Sequence, residues 1–281
     1  MKKQSFPEQK QEQPGVRQKM APKAELISKS YRGSGKLTDK VALITGGDSG
    51  IGASVALHFA TEGADVAIVY LNEQLDAENI KKKIQALGRR CFLIKTDLSL
   101  EKNCISCVEQ CVAFYGKLNI VVNNAAMQFP KDNLDEITAT QLLKTFETNI
   151  YPFFYISREA LKHLNKGDSI INTSSVTAYR GSDHLVDYSS SKGAIVSFTR
   201  SLSAQLASKA IRVNGVAPGP IWTPLIPATF DKVADFGADT PMGRAGQPSE
   251  VGPAYVFLAA EDSSYITGQF IHINGGEIIG G

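Results

Sequence analysis

Long apolar runs are missing from this sequence: the longest, Ala254 to Ala260, has seven residues, against the roughly 20 that a membrane-spanning helix requires. A membrane partner is therefore not expected. Histidine is scarce, at four residues, and the four cysteines crowd between Cys91 and Cys111 with no histidine close by in sequence to complete a zinc site. No metal is expected. Cys104, Cys107, Cys111 and Phe114 follow i, i+3, i+7, i+10 spacing, one face of a helix, and free cysteine packs as a small apolar residue, so all four are expected in the core. Met1 to Lys10 carry lysine without a following apolar stretch, so no secretory signal is read and the cytoplasm is the expected compartment.

A strong overall charge is lacking too, with 30 Lys and Arg against 28 Asp and Glu in 281 residues. The distribution is uneven. Residues 1–36 hold nine Lys and Arg and three Glu, a net +6, which leaves −4 on the rest of a chain whose total is +2. This stretch is rich in Gln, Lys and Pro and has neither helical nor strand period, so it reads as a basic, irregular N-terminal arm, flexible or laid over a surface. Its only aromatics are Phe6 and Tyr31, so nucleic acid is not the expected partner. The expectation is an arm held partly by charge across its own or a neighbouring subunit, serving assembly more than catalysis.

From Lys40 onward, short apolar runs alternate with amphipathic stretches. Strands are expected at 41–45, 65–71, 91–96, 120–123, 169–173, 212–217 and 270–273, and helices at 51–62, 77–87, 101–115, 139–165, 189–208 and 250–260. Such alternation implies βαβ crossovers, and hence an α/β fold: one doubly wound Rossmann-type domain over residues 37–281, with a mostly parallel seven-stranded sheet and helices on both faces. No fixed-period repeat and no Pro/Ser-rich linker interrupts it. Residues 225–247 break the alternation with Pro, Gly and Asp and are expected to form a lid.

Three motifs carry chemistry. The first strand runs into a helix through Thr45-Gly46-Gly47-Asp48-Ser49-Gly50-Ile51-Gly52, where glycines permit a tight turn and let backbone amides approach a pyrophosphate. Tyr188 and Lys192 stand four apart at the start of a long helix and so share a face. A nearby ammonium favours phenolate, which suits a general acid/base. Ser175 follows the apolar run 169–173, at the sheet edge where ligands sit in such folds.

Together these segments resemble the short-chain dehydrogenase/reductase family. The likeness runs in the family's order over about 85% of the chain, through the glycine turn, Asp97, Asn123-Asn124-Ala125-Ala126, Asn149, Ser175, Tyr188-x-x-x-Lys192 and Pro218-Gly219-Pro220-Ile221-Trp222-Thr223. The arm with Tyr31 to Lys36 further resembles an N-terminally extended bacterial subgroup of general-stress and aldehyde-reductase-like oxidoreductases. Two positions depart from the family pattern, Ala126 and Asn274, where Gly and Asp are usual. The Tyr188 to Lys192 spacing speaks against the divergent enoyl-reductase branch.

The resemblance implies an NAD(P)-dependent enzyme that interconverts an alcohol and an aldehyde or ketone, with Tyr188 as general acid/base. Lys192 would lower the tyrosine pKa and bind the nicotinamide ribose, Ser175 would polarise the carbonyl, and Asn149 would hold a water on the proton path. For the coenzyme it implies Gly46, Asp48, Ser49, Gly50, Ile51, Gly52, Tyr70, Asn72, Asp97, Leu98, Asn123, Ala125, Pro218, Gly219, Ile221 and Thr223, together with Tyr188 and Lys192. Neither an acid at Tyr70 nor an arginine at Leu71 or Ser49 selects between NAD and NADP, and the charge of Asp48 favours NAD slightly. A homotetramer is implied, with aromatics such as Phe154 surplus to one subunit's core. The competing reading, a non-catalytic nucleotide-binding regulatory protein, has no need of the Asn149, Ser175, Tyr188 and Lys192 set.

Overall fold

The computed structural model describes residues 5–279. Residues 1–4, which include Lys2 and Lys3 of the basic arm, and residues 280–281 lie outside the described residues. Elements follow in the order β1 (Val41–Thr45), α1 (Gly50–Thr61), β2 (Asp65–Tyr70), α2 (Gln74–Ala86), β3 (Cys91–Lys95), α3 (Glu101–Tyr115), β4 (Ile120–Asn123), α4 (Ala139–Asn149), α5 (Tyr151–Ala160), β5 (Ser169–Thr173), α6 (Thr177–Arg180), α7 (Val186–Leu206), β6 (Arg212–Pro218), α8 (Leu225–Thr229), α9 (Pro248–Ala259) and β7 (Phe270–Ile273).

All seven strands are parallel, in the order β3-β2-β1-β4-β5-β6-β7. Both faces of the central strands are covered by helices, which is why β1, β2 and β5 read as unbroken buried runs rather than alternating ones. One layer is formed by α1, α2 and α9, the other by α3, α4, α5 and α7. Small residues let α1 and α9 meet closely: a Cβ on Gly252 would lie 2.4 Å from His58 Nδ1. Buried Arg212 then closes the end of α9, donating to the carbonyls of Leu258, Ala259 and Ala260.

Two expectations fail for physical reasons. The single helix over 139–165 is two helices, broken at Ile150 (φ −133°), with Pro152 in the first turn of α5, where its missing N–H costs nothing. The helical face of Cys104, Cys107 and Cys111 is buried as expected, but it continues to Tyr115 rather than Phe114. The Tyr115 hydroxyl reaches Val66 O, whereas Phe114 stays half out and stacks on Phe92. Of the aromatics expected at an interface, Phe153 is buried against Ile150 and Ile195, while Tyr151 and Phe154 are exposed.

The arm lies on the body, and apolar side chains seat it. Phe6, Met20, Ala24 and Leu26 are buried, the first three around Trp222 with Ile226, Val233 and Ala245. Its far end is fixed on Glu62, whose carboxylate accepts from the Tyr31 hydroxyl and the Ser34 and Lys36 amides. Surface ion pairs such as Lys10 with Asp231 are exposed and contribute little. The arm thus lies across its own subunit as expected, with charge the lesser part of the hold: buried carbon and the hydrogen bonds to Glu62 seat it, beside the exposed pairs Lys10–Asp231 and Lys36–Asp262.

Candidate active site

Chain order reverses between β1 and β4, and at such a switch point the loops leaving the two strands part to open a crevice. Here the crevice is a cavity of about 970 Å³ that runs from Asp48, Tyr70, Asp97 and Leu98 at one end to Ser175, Tyr188 and Lys192 at the other. Between them lie Gly46, Ser49, Gly50, Ile51, Ala125, Pro218, Gly219, Ile221 and Thr223. Sequence reasoning therefore placed most of its candidates on one surface.

Gly46 (φ +63°) and Gly50 (φ +50°) adopt left-handed backbone that a side chain would strain. A Cβ on Gly50 would also come within 3.2 Å of Thr223. The bare backbone and the free N–H groups of the first turn of α1 form a cradle suited to a pyrophosphate. Asp97 stands at the other side of the crevice. Burial opposes its charge, but the Ser99 amide and hydroxyl, with Lys144, hold it below the ordinary carboxylate range.

Tyr188 and Lys192 share one face of α7, with Lys192 Nζ 5.4 Å from the phenol ring centre. Lys192 is buried and donates to Thr173 O at 3.0 Å. Burial pushes its ammonium down to about 7, and burial pushes the Tyr188 phenol up to about 12, opposed by a hydrogen bond with Ser175. The pair is thus tuned toward neutral partners in the site as it stands. Ser175 is fixed in turn by Thr177, whose amide and hydroxyl both donate to its Oγ at 3.1 Å. The start of α7 is anchored by buried Asp187, which accepts from Thr145 and Gln141, a positioning contact that sequence spacing could not show.

Four candidates sit elsewhere. Asn123 is buried beneath the crevice, donating to Ser157 and Asn172, and its neighbour Asn124 lines the cavity instead, donating to Thr45 O and Gly46 O. Side chains alternate along a strand, so the exchange is one of face. Gly52 is a packing glycine: a Cβ there would lie 2.1 Å from Gly46 O. Asn72 is exposed off the cavity, which Leu71 and Glu73 line in its place. Asn149 lies behind the site, clasping Met127 through both its N–H and its C=O and donating to Ser191. Asp48 does line the cavity, but burial raises its carboxyl to about 7, which weakens the full negative charge read from sequence. Arm residues Glu8 and Pro14 also reach the cavity, and no sequence signal pointed to them.

A parallel doubly wound sheet with a glycine cradle at its switch point, and a tyrosine, lysine and serine gathered beside it, defines a nucleotide-dependent oxidoreductase. The comparisons agree. A family profile described as enoyl-(acyl carrier protein) reductase matches residues 46–277. The uncharacterized oxidoreductase YhdF of Bacillus subtilis (strain 168) is 56% identical over 275 residues, covering 97% of this chain and 95% of that protein. General stress protein 39 of the same organism is 51% identical over 95% of this chain and 94% of its own. NADPH-dependent aldehyde reductase 1, chloroplastic, of Arabidopsis thaliana is 49% identical over 95% and 96%. A short-chain dehydrogenase from Burkholderia cenocepacia J2315, solved in complex with NADP, superposes with a TM-score of 0.82 at 32% identity, over 86% of this chain and 98% of that one. This chain belongs to the short-chain dehydrogenase/reductase family, and it is an NAD(P)-dependent oxidoreductase acting on CH–OH groups.

Proposed function

We propose that Tyr188 is the general acid/base for interconversion of a small alcohol and its aldehyde or ketone, with Ser175 and Lys192 as its partners. The observation that carries this is the meeting of Ser175, Tyr188 and Lys192 in the same cavity as the glycine cradle. The nicotinamide coenzyme supplies or takes up the hydride. Ser175 holds the substrate oxygen beside the Tyr188 hydroxyl, which gives its proton to that oxygen in reduction and receives it in oxidation. A protonated Lys192 holds the phenolate form down in energy. Asn149 acts from behind by fixing Met127 and Ser191.

The glycine cradle, Asp97, Asn124 and the Pro218 to Thr223 segment are the residues that hold the coenzyme. No acid stands at Tyr70 to repel a 2′-phosphate, and burial disfavours a full negative charge on Asp48, so this reading takes NADP(H). The names of the Arabidopsis reductase and the Burkholderia complex support that choice. The test is kcat/KM with NADPH and NADH on one generic aldehyde: comparable or higher efficiency with NADPH is expected, and turnover with NADH alone overturns it.

Among the described residues no helix is long and apolar enough to cross a membrane. The reading places the enzyme in the cytoplasm, as a homotetramer joined through the exposed apolar side chains of α4 and α5, Leu142, Leu143, Tyr151 and Phe154.

A further inference from the structure

The arm is the one part of the molecule that the chemistry above leaves without a role, and its path is informative. Phe6 stacks on Trp222 with ring centres 3.7 Å apart and planes 7° from parallel, and its amide donates to Ala234 O at 2.9 Å. The two carboxylate oxygens of Glu8 accept from the Val233 and Ala234 amides at 3.1 and 3.3 Å. Gln11 N donates to Pro227 O at 2.7 Å, and Gln13 Nε2 to Gln128 O at 2.6 Å. Gly15 is pressed on Pro224, with room so tight that a Cβ would lie 2.3 Å from Pro224 O. Arg17 N then donates to Asp76 in the first turn of α2 at 2.7 Å.

Residues 6–17 therefore start on the 225–247 segment, cross beside the Thr223–Gly50 contact and end on the coenzyme side of the crevice, with Glu8 and Pro14 in the cavity wall. Glu8 is spent on lid amides, so it serves the lid rather than the substrate. Trp222 lies between Ile221 and Thr223, both cavity residues, so the Phe6 stack acts directly on the wall of the site.

We propose that residues 6–17 are a strap across the crevice, in which Phe6 and Glu8 are positioning residues that hold the 225–247 lid closed, so that the coenzyme can exchange only when the strap parts from the lid. This rests on the reading that the cavity holds a nicotinamide dinucleotide. It reverses the expectation that the arm serves assembly more than catalysis.

Trp222 is the only tryptophan, so its emission reports whether the strap is seated. The experiment compares full-length wild type with Phe6→Ala, Glu8→Ala and the double variant, measuring NADPH release by stopped flow, coenzyme KM and kcat, and Trp222 emission. Glu8→Gln, which keeps the packing, stands in where Phe6→Ala does not fold, and Tyr31→Phe at the far anchor is the control. Expected are a red-shifted Trp222 emission and about a tenfold rise in both release rate and coenzyme KM. The pH profile of kcat should stay in place, because Tyr188 is untouched, and Tyr31→Phe should leave release unchanged. Release within twofold of wild type overturns the strap. So does an unshifted emission in the double variant, since Phe6 and Glu8 would then not hold it. A wild-type protein that binds neither NADPH nor NADH overturns the underlying coenzyme reading instead.

Discussion

Tyr188 and Lys192 set the terms at the residue scale. Tyr188→Phe removes the phenolic hydroxyl that carries the proton and keeps the ring, so kcat should fall by about 10²- to 10⁴-fold with coenzyme affinity nearly intact. Retention of more than half the wild-type kcat would contradict the assignment. Alcohol oxidation needs the phenolate and should therefore accelerate as pH rises, while carbonyl reduction needs the phenol and should fade over the same range. With the phenol lifted to about 12 by burial, the ammonium of Lys192 must bring the apparent value back toward working pH. Lys192→Met should move the oxidation profile to higher pH, and a flat profile between about pH 6 and 10 with hydride transfer rate-limiting would refute the scheme. The same substitution removes a buried amine whose pKa is depressed to about 7. An amine with a lowered folded-state value binds fewer protons folded than unfolded, so its penalty is present at pH 7 and fades as pH rises toward its unfolded value. Lys192→Met should thus stabilise the fold at neutral pH by about 1 kcal/mol or more, while slowing turnover to a residual rate on which the shifted profile is read. A lower Tm would show that the Thr173 contact outweighs the burial.

At the element scale, helices of one layer approach each other closely, and residues 225–247 are the proposed lid. Gly252→Ala would drive a methyl into His58 and Ser54 at the α1–α9 crossing. Overpacking of this kind costs about 1–3 kcal/mol, and because α1 also carries the glycine cradle, coenzyme affinity should fall with the Tm. Thermal denaturation beside a coenzyme titration checks both, and an unchanged Tm would mean the crossing has slack. The proposed lid, residues 225–247, opens whenever the strap parts and is expected to gain further amide-exchange protection when coenzyme binds, since bound coenzyme favours the closed state that shields hydride transfer from water. Equal protection with and without coenzyme would remove the lid role.

For the whole molecule, the question is what covers the exposed carbon of α4 and α5. Phe154 is 52% exposed and rests against Phe198 on α7, so this face presents aromatic surface outward. Charge placed there is costly only if a second subunit buries it. Phe154→Glu should split the proposed homotetramer while leaving the secondary structure intact, read by light scattering and circular dichroism. A wild-type monomer, or an unperturbed oligomer in the variant, would assign the face to something else.

The sequence by itself determined the strand order in time, the doubly wound class and most of the candidate residues that line the cavity, because each of these is written in local pattern. Buried runs such as Val66 to Tyr70 mark parallel strands, glycines mark the turn that needs left-handed backbone, and Tyr188 with Lys192 must share a face whatever surrounds the helix. The break at Ile150 was less legible, since the apolar period continues through it and only Pro152 hints at a new start. Four things were decided by tertiary structure alone. Asn124 rather than Asn123 faces the crevice because strand pairing fixes which face is which. The Asp48 carboxyl is shifted upward because neighbours exclude water from it. Asn149 turns to Met127 because that backbone lies within reach of its amide. The arm, with no period of its own, takes its course from Trp222 and the lid, so Phe6 and Glu8 acquire meaning only from partners more than 200 residues away.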